Sequence, residues 1–262
     1  VEKIPRLTKH VQSFLNDLIQ GIKQITDEQF TGCYLHGSLA MGSFQPGNSD
    51  IDLLVVLNKT LSKQQKQELA ALFLDKSNHP YPIEISFLLE CHLREWEHPF
   101  PYLFHYSEHW RGHIKRDENQ VIEESGGKDA DLAAHIAVLL DRGVTLEGVQ
   151  AEKVFPVIPK SDYISSIGLD YKECLVDYID KPVYCLLNML RFYWYLKEEC
   201  ILSKKEAGER AYEAFPESVR PTIKNLLYHY QGKEACKQTR ERRSLTALKE
   251  YIEGKITELL KG

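Results

Sequence analysis

From Ser49 to Leu57 the chain reads SDIDLLVVL, two aspartates entering an otherwise apolar run rich in leucine and valine. Such a run predicts a β-strand. Side chains alternate across a strand, so Asp50 and Asp52 share a face, roughly 6 to 7 Å apart along the backbone. Two ionised carboxylates beside Leu53, Leu54, Val55 and Val56 repel each other and lose hydration unless a cation lies between them. Mg2+ meets that need, because it takes oxygen ligands from one or two carboxylates and the rest from water and substrate phosphates.

Upstream, TGCYLHGS predicts a strand running into a turn at Gly37 and Ser38. A residue without a β-carbon lets backbone N–H groups approach an anion, and the serine hydroxyl can add a hydrogen bond. Eleven residues separate Ser38 from Asp50. Downstream, Glu84 in PIEISFLL lies on a further predicted strand, on the face of Ser86 and opposite Ile83, Ile85 and Phe87. Paired beside the aspartate strand, it makes a third acid around the metal. Taken singly, these features have plainer readings: a tight turn, a loop cap at Asp50, a polar residue on the wet side of an edge strand. The order strand, Gly-Ser turn, Asp-x-Asp strand is what points to catalysis on a phosphate.

Length and charge narrow the partners. The chain has 262 residues, 43% of them apolar, enough for two domains with separate cores. A net charge of −5 disfavours sequence-blind binding to nucleic acid and suits a cationic small molecule. The basic stretch KQTRERRSLTALK (237–249) is interrupted by Glu241 and has helical spacing, so it reads as a solvated helix face or a partner site. Six scattered cysteines without a CxxC pair suit a reduced, cytoplasmic protein. The first residues, VEKIPRLTKHVQSFL, lack the apolar core of a signal peptide, and the run Val183 to Leu196 is short and carries Asn188 and Arg191. The expectation is a soluble monomer with no membrane partner.

The texture changes after EESGGKDA. Residues 1–126 mix predicted helices (10–25, 62–77) with strands, an α/β pattern, whereas 127–262 read as helical throughout (131–143, 181–199, 204–215, 217–232, 245–261). In the helical half, SKKE (203–206) is a capping box with Ser203 as N-cap, which puts Lys204 and Lys205 in a first turn where the helix dipole disfavours cations. A bound anion reverses that penalty; solvated lysines are the alternative. Arg191, amid Met189, Leu190, Phe192 and Tyr193, needs an anionic partner if buried, either a phosphate or a structural carboxylate. Asp180 precedes Lys181 and Pro182 and could simply cap a helix. Trp110 could stack on a substrate or fill a domain junction.

The segment LHGSLAMGSFQPGNSDIDLLVVL resembles the nucleotidyltransferase signature of the DNA polymerase β-like superfamily. The whole chain is similar to the aminoglycoside adenylyltransferases that modify streptomycin and spectinomycin, through Glu84 in IEISFL, Trp110 in SEHWR, DLAAHIAVLLDRGVTLEG (131–148) and the helical C-terminal half. The resemblance implies a polymerase β-like mixed sheet with helices, followed by an all-α bundle. It implies transfer of AMP from MgATP to a hydroxyl of an aminocyclitol. Asp50 and Asp52, with Glu84, would hold two Mg2+ ions, and Glu84 would be the base. Gly37, Ser38, Ser49, Arg191, Lys204 and Tyr230 would contact ATP, and Glu84, Trp110 and Asp180 the acceptor. The segment LAMGSFQPGN and the region around Lys181 depart from the family pattern, which leaves the acceptor open. Transfer to RNA or protein would call for a basic channel that is not evident. An antitoxin-like regulatory module fits poorly with intact acids and a full helical half.

Overall fold

The structure, a computed structural model, describes residues 7–47, 49–117, 122, 126–233 and 242–261. It divides into two compact units, one up to Asp162 and one from Tyr163 onward. In the first, helix α1 (Lys9–Thr26) buries Val11, Phe14, Leu15, Leu18, Ile19 and Ile22, the three- and four-residue spacing of a single helical face. Thr8 caps it by accepting from the Val11 N–H at 3.3 Å.

That face packs on a five-stranded sheet built from β1 (Phe30–Leu35), β2 (Ile51–Leu57), β3 (Ile83–Leu89), β5 (Phe104–Tyr106) and β7 (Val144–Gly148), in the order β5-β3-β2-β1-β7. Strands β2 and β3 run parallel and the other pairs antiparallel, the mixed sheet expected. Alternation along β2 and β3 sorts their side chains. Leu53, Val55, Leu57, Ile83, Ile85 and Phe87 join α1 and α3 (Lys63–Lys76) in one core. Leu54, Val56 and Leu88 join Tyr34 and Leu132, Ile136 and Leu139 of α6 (Asp131–Arg142) in another. Short elements complete the unit: α2 (Gly37–Ala40), α4 (Glu90–Arg94), β4 (Phe100–Tyr102) paired with β6 (Gly127–Asp129), α5 (Glu108–Arg116) and α7 (Ala151–Val154).

The sequence reading puts the junction at 126/127 and makes everything beyond it helical. The structure instead pairs β7 with β1, so residues up to Asp162 stay with the sheet. VTLEG is too short for periodicity to separate strand from helix, and its partner lies over a hundred residues away in sequence, so only the fold reveals the pairing.

The second unit is helical: α8 (Lys160–Asp177, which the unit boundary cuts), α9 (Pro182–Glu198), α10 (Lys204–Ala214), α11 (Arg220–Tyr230) and α12 (Arg242–Lys261). Helix α9 packs against α10, α11 and α12 and buries Leu186, Leu187, Met189, Leu190, Phe192 and Trp194. Its apolar character all round is that of a bundle's central helix. Among the described residues, no helix is long and apolar enough to cross a membrane. Of KQTRERRSLTALK, residues 237–241 lie outside the described residues, and the remainder enters α12.

Candidate active site

Strand β1 ends at Leu35, and the chain turns against the start of β2. The His36 N–H donates to the Asp52 carbonyl at 3.0 Å. Gly37 follows with φ +64°, and a β-carbon there would lie 1.7 Å from Asp52 Oδ2. Only glycine lets the backbone pass this close to the carboxylate. The expected turn is a single helical turn, α2, in which the Ser38 hydroxyl is buried without a hydrogen-bond partner among the described residues. Ser49 is buried, and its hydroxyl accepts from the Gln45 N–H at 3.1 Å, closing the loop that leads to Asp50.

The acids meet through strand register. In the parallel β2–β3 pair Asp52 stands beside Glu84, and Leu54 beside Ser86, which puts the two backbones about 4.8 Å apart. Both carboxyl residues are half-buried, while Asp50 is exposed one residue ahead of β2. Among the described residues no three histidine, cysteine, aspartate or glutamate side chains are gathered as a ready-made metal cage. The donor set still fits Mg2+, which is commonly held by one or two carboxylates with phosphate and water completing the shell. The exposed Asp50 and the adjoining Asp52 supply oxygens of that kind.

Histidines that the sequence reading did not single out surround this pair. The buried His36 ring lies 4.8 Å from that of His135 on α6. Burial, then the neighbouring His135, holds the His36 imidazole well below its ordinary 6.5. On β5, His105 faces Ser86 across the antiparallel register, with its Nδ1 2.9 Å from the Ser86 hydroxyl. Burial lowers His105 too, against the opposing pull of Glu84 and Asp129. Burial thus disfavours the charged imidazole at both His36 and His105. The available signal was alternation: His36 follows Tyr34 on the same face, and Ser86 is a polar residue in an apolar strand that needs a partner.

Trp110 lies on α5 and is 38% exposed, its ring beside His109 at 6.0 Å and His113 at 5.7 Å. It is a surface aromatic and not a plug in a core.

In the second unit, Arg191 on α9 is half-buried and donates from Nε to the Leu202 carbonyl at 2.9 Å and from Nη1 to Asn188 Oδ1 at 3.0 Å. Both acceptors are neutral. Leu202 directly precedes Ser203, whose capping box is present as expected: its hydroxyl accepts from the Glu206 N–H, and the Glu206 carboxylate accepts from the Ser203 N–H. Lys204 Nζ sits 4.3 Å from the Tyr184 ring centroid. Helices α10 and α11 pack closely, and a β-carbon on Gly208 would lie 2.8 Å from Leu227 Cδ2. Arg191, through its bond to the Leu202 carbonyl, is tied to the segment that leads into Lys204 at the start of α10. Tyr230 ends α11. Asp180 is exposed in the turn before α9, where the N-cap position belongs to Lys181 and no side chain caps the helix. Its capping alternative is therefore wrong by one residue.

Residues 19–106 match the family model for a nucleotidyltransferase domain, and residues 153–255 the model for the C-terminal domain of aminoglycoside adenylyltransferases. The chain is 23% identical over 266 residues to a spectinomycin 9-adenylyltransferase of Campylobacter jejuni, covering 100% of this chain and 98% of that one. It is 26% identical over 252 residues to the Enterococcus faecalis spectinomycin 9-adenylyltransferase, covering 94% and 96%. A crystal structure of the E. faecalis spectinomycin adenyltransferase with ATP and spectinomycin shares the fold, with a TM-score of 0.77 at 21% identity, over 94% of this chain and 98% of that one.

Proposed function

We propose, for a chain that belongs to the aminoglycoside adenylyltransferase family, that it transfers AMP from MgATP to a hydroxyl of spectinomycin, streptomycin or a related aminocyclitol and releases pyrophosphate. The observation that carries this reading is the in-register adjacency of Asp52 and Glu84, with Gly37 packed on Asp52. The names of the relatives put spectinomycin first among acceptors.

Glu84 takes the proton of the attacking hydroxyl. The hydroxyl oxygen then bonds to the α-phosphorus as the bond to the bridging oxygen breaks, and pyrophosphate leaves with those electrons. Asp50 and Asp52, with Glu84 adjoining, would hold Mg2+, which when bound supplies charge neutralisation and polarisation of the phosphoryl oxygens. The Gly37–Ser38 turn offers backbone N–H groups to phosphate, and the unpartnered Ser38 hydroxyl accords with such a ligand. Arg191 and Lys204 would offset the triphosphate charge, Tyr230 would contact ATP, and Ser49 would hold the loop before Asp50. Trp110 and Asp180 are the acceptor contacts in this reading, an exposed aromatic face and an exposed carboxylate for a cationic ring. Incubation with MgATP and each drug, read by mass spectrometry, tests it. The expected product is the drug plus one AMP unit; ATP binding with neither drug modified would remove the acceptor assignment.

A further inference from the structure

Glu108 opens α5, two residues before Trp110 and well away in sequence from the acids of the sheet. Its carboxylate is nevertheless wired to the strand that carries Glu84. Oε1 accepts from the Ser77 hydroxyl at 2.5 Å, the Tyr106 hydroxyl at 3.0 Å and Arg111 Nη2 at 3.2 Å. Oε2 accepts from Asn78 Nδ2 at 2.5 Å and Arg111 Nε at 2.9 Å. Ser77, fully buried, in turn accepts from the Ile83 N–H at 3.0 Å. Arg111 clamps the same segment from the other side, donating to the Leu74 carbonyl at 3.0 Å and the Ser77 carbonyl at 2.7 Å.

Ile83 and Ile85 flank Glu84 in β3. The first is reached from Glu108 through Ser77, and the second is the register partner of Tyr106, whose hydroxyl donates to the same carboxylate. Glu108 thus holds β3 on both sides of Glu84. Burial works against this carboxylate's charge, but the donors from Arg111, Ser77 and Tyr106 outweigh it and keep Glu108 below the usual carboxylate range. An anion satisfied on every side makes a stiff node.

We propose that Glu108 is a positioning residue for Glu84, fixing through Ser77 and Tyr106 the place on β3 from which the base meets the acceptor hydroxyl. The inference rests on the reading of Glu84 as base. Misplacement of a reacting group by about 1 Å can cost 10²-fold in rate, so a loosened anchor acts on turnover and not on nucleotide binding.

Ser77→Ala cuts the link to Ile83 while leaving the Glu108–Arg111 pair. Glu108→Gln replaces a carboxylate oxygen by an NH2 that meets donors. Each folded variant is expected to lose kcat about tenfold with KM for ATP and calorimetric ATP affinity unchanged, and the double variant to fall no further than the worse single. Wild-type kcat in folded Ser77→Ala overturns the proposal, and that variant carries the test alone if Glu108→Gln does not fold. Glu84→Gln run alongside separates the readings. Normal turnover in it removes the base and this inference together; inactivity in it with unchanged Ser77→Ala and Glu108→Gln removes only the positioning role.

Discussion

At Gly37 one added methyl group would lie 1.7 Å from Asp52 Oδ2, on a backbone whose φ of +64° already disfavours an L side chain by about 1–2 kcal/mol. Gly37→Ala is therefore expected to push Asp52 out of place. AMP transfer should drop by about 10²-fold or more, measured in a single turnover, with a lowered unfolding temperature. His36 gives a second prediction at this scale. Its folded imidazole is depressed below the ordinary 6.5, so below that pH the unfolded chain binds the extra proton and the folded state does not. The stability His36 contributes is present above about pH 6.5 and lost as pH falls. Denaturant titrations from pH 7.5 to 5 should show falling stability, and the slope should shrink in His36→Gln. The two aspartates stand out in sequence because charge inside an apolar run demands an explanation. The imidazoles do not, because a histidine is chemically unremarkable until its neighbours are known.

Among the elements, the capping box at Ser203 is the clearest case of local sequence deciding local structure. Ser203→Ala should cost about 1 kcal/mol of stability. It should also weaken ATP several-fold by calorimetry, because Arg191 is tied to Leu202 and Lys204 opens the same helix. Unchanged affinity would detach this helix end from the nucleotide. Amphipathic helices such as α1 and α10, and the strands of SDIDLLVVL and PIEISFLL, were legible from periodicity and composition. Strand β7 was not, because its five residues alternate only weakly and its stabilisation comes from β1, distant in sequence. Nor could either strand alone reveal that Asp52 faces Glu84; register belongs to the pair.

For the molecule as a whole, a net charge of −5 sits with a cationic acceptor and against a polyanionic one. At saturating MgATP, raising salt through the range where the Debye length falls from about 10 Å to 3 Å should raise KM for the acceptor while leaving kcat nearly constant. A flat KM would place acceptor recognition in close contacts alone. The two-part organisation was visible in the sequence as a change of texture, but the texture changes where short strands give way to α6, and the compact unit continues to Asp162. Texture reports local composition, whereas a unit boundary reports packing between distant segments.

The account stands on Asp52 and Glu84 forming one reactive pair, and Glu84→Gln tests it most directly because the change keeps the shape and removes only the charge and basicity. Rapid-quench measurement of AMP transfer to spectinomycin, with MgATP affinity followed in parallel, should find nucleotide binding intact and transfer lost. Transfer at the wild-type rate in that variant would contradict the account.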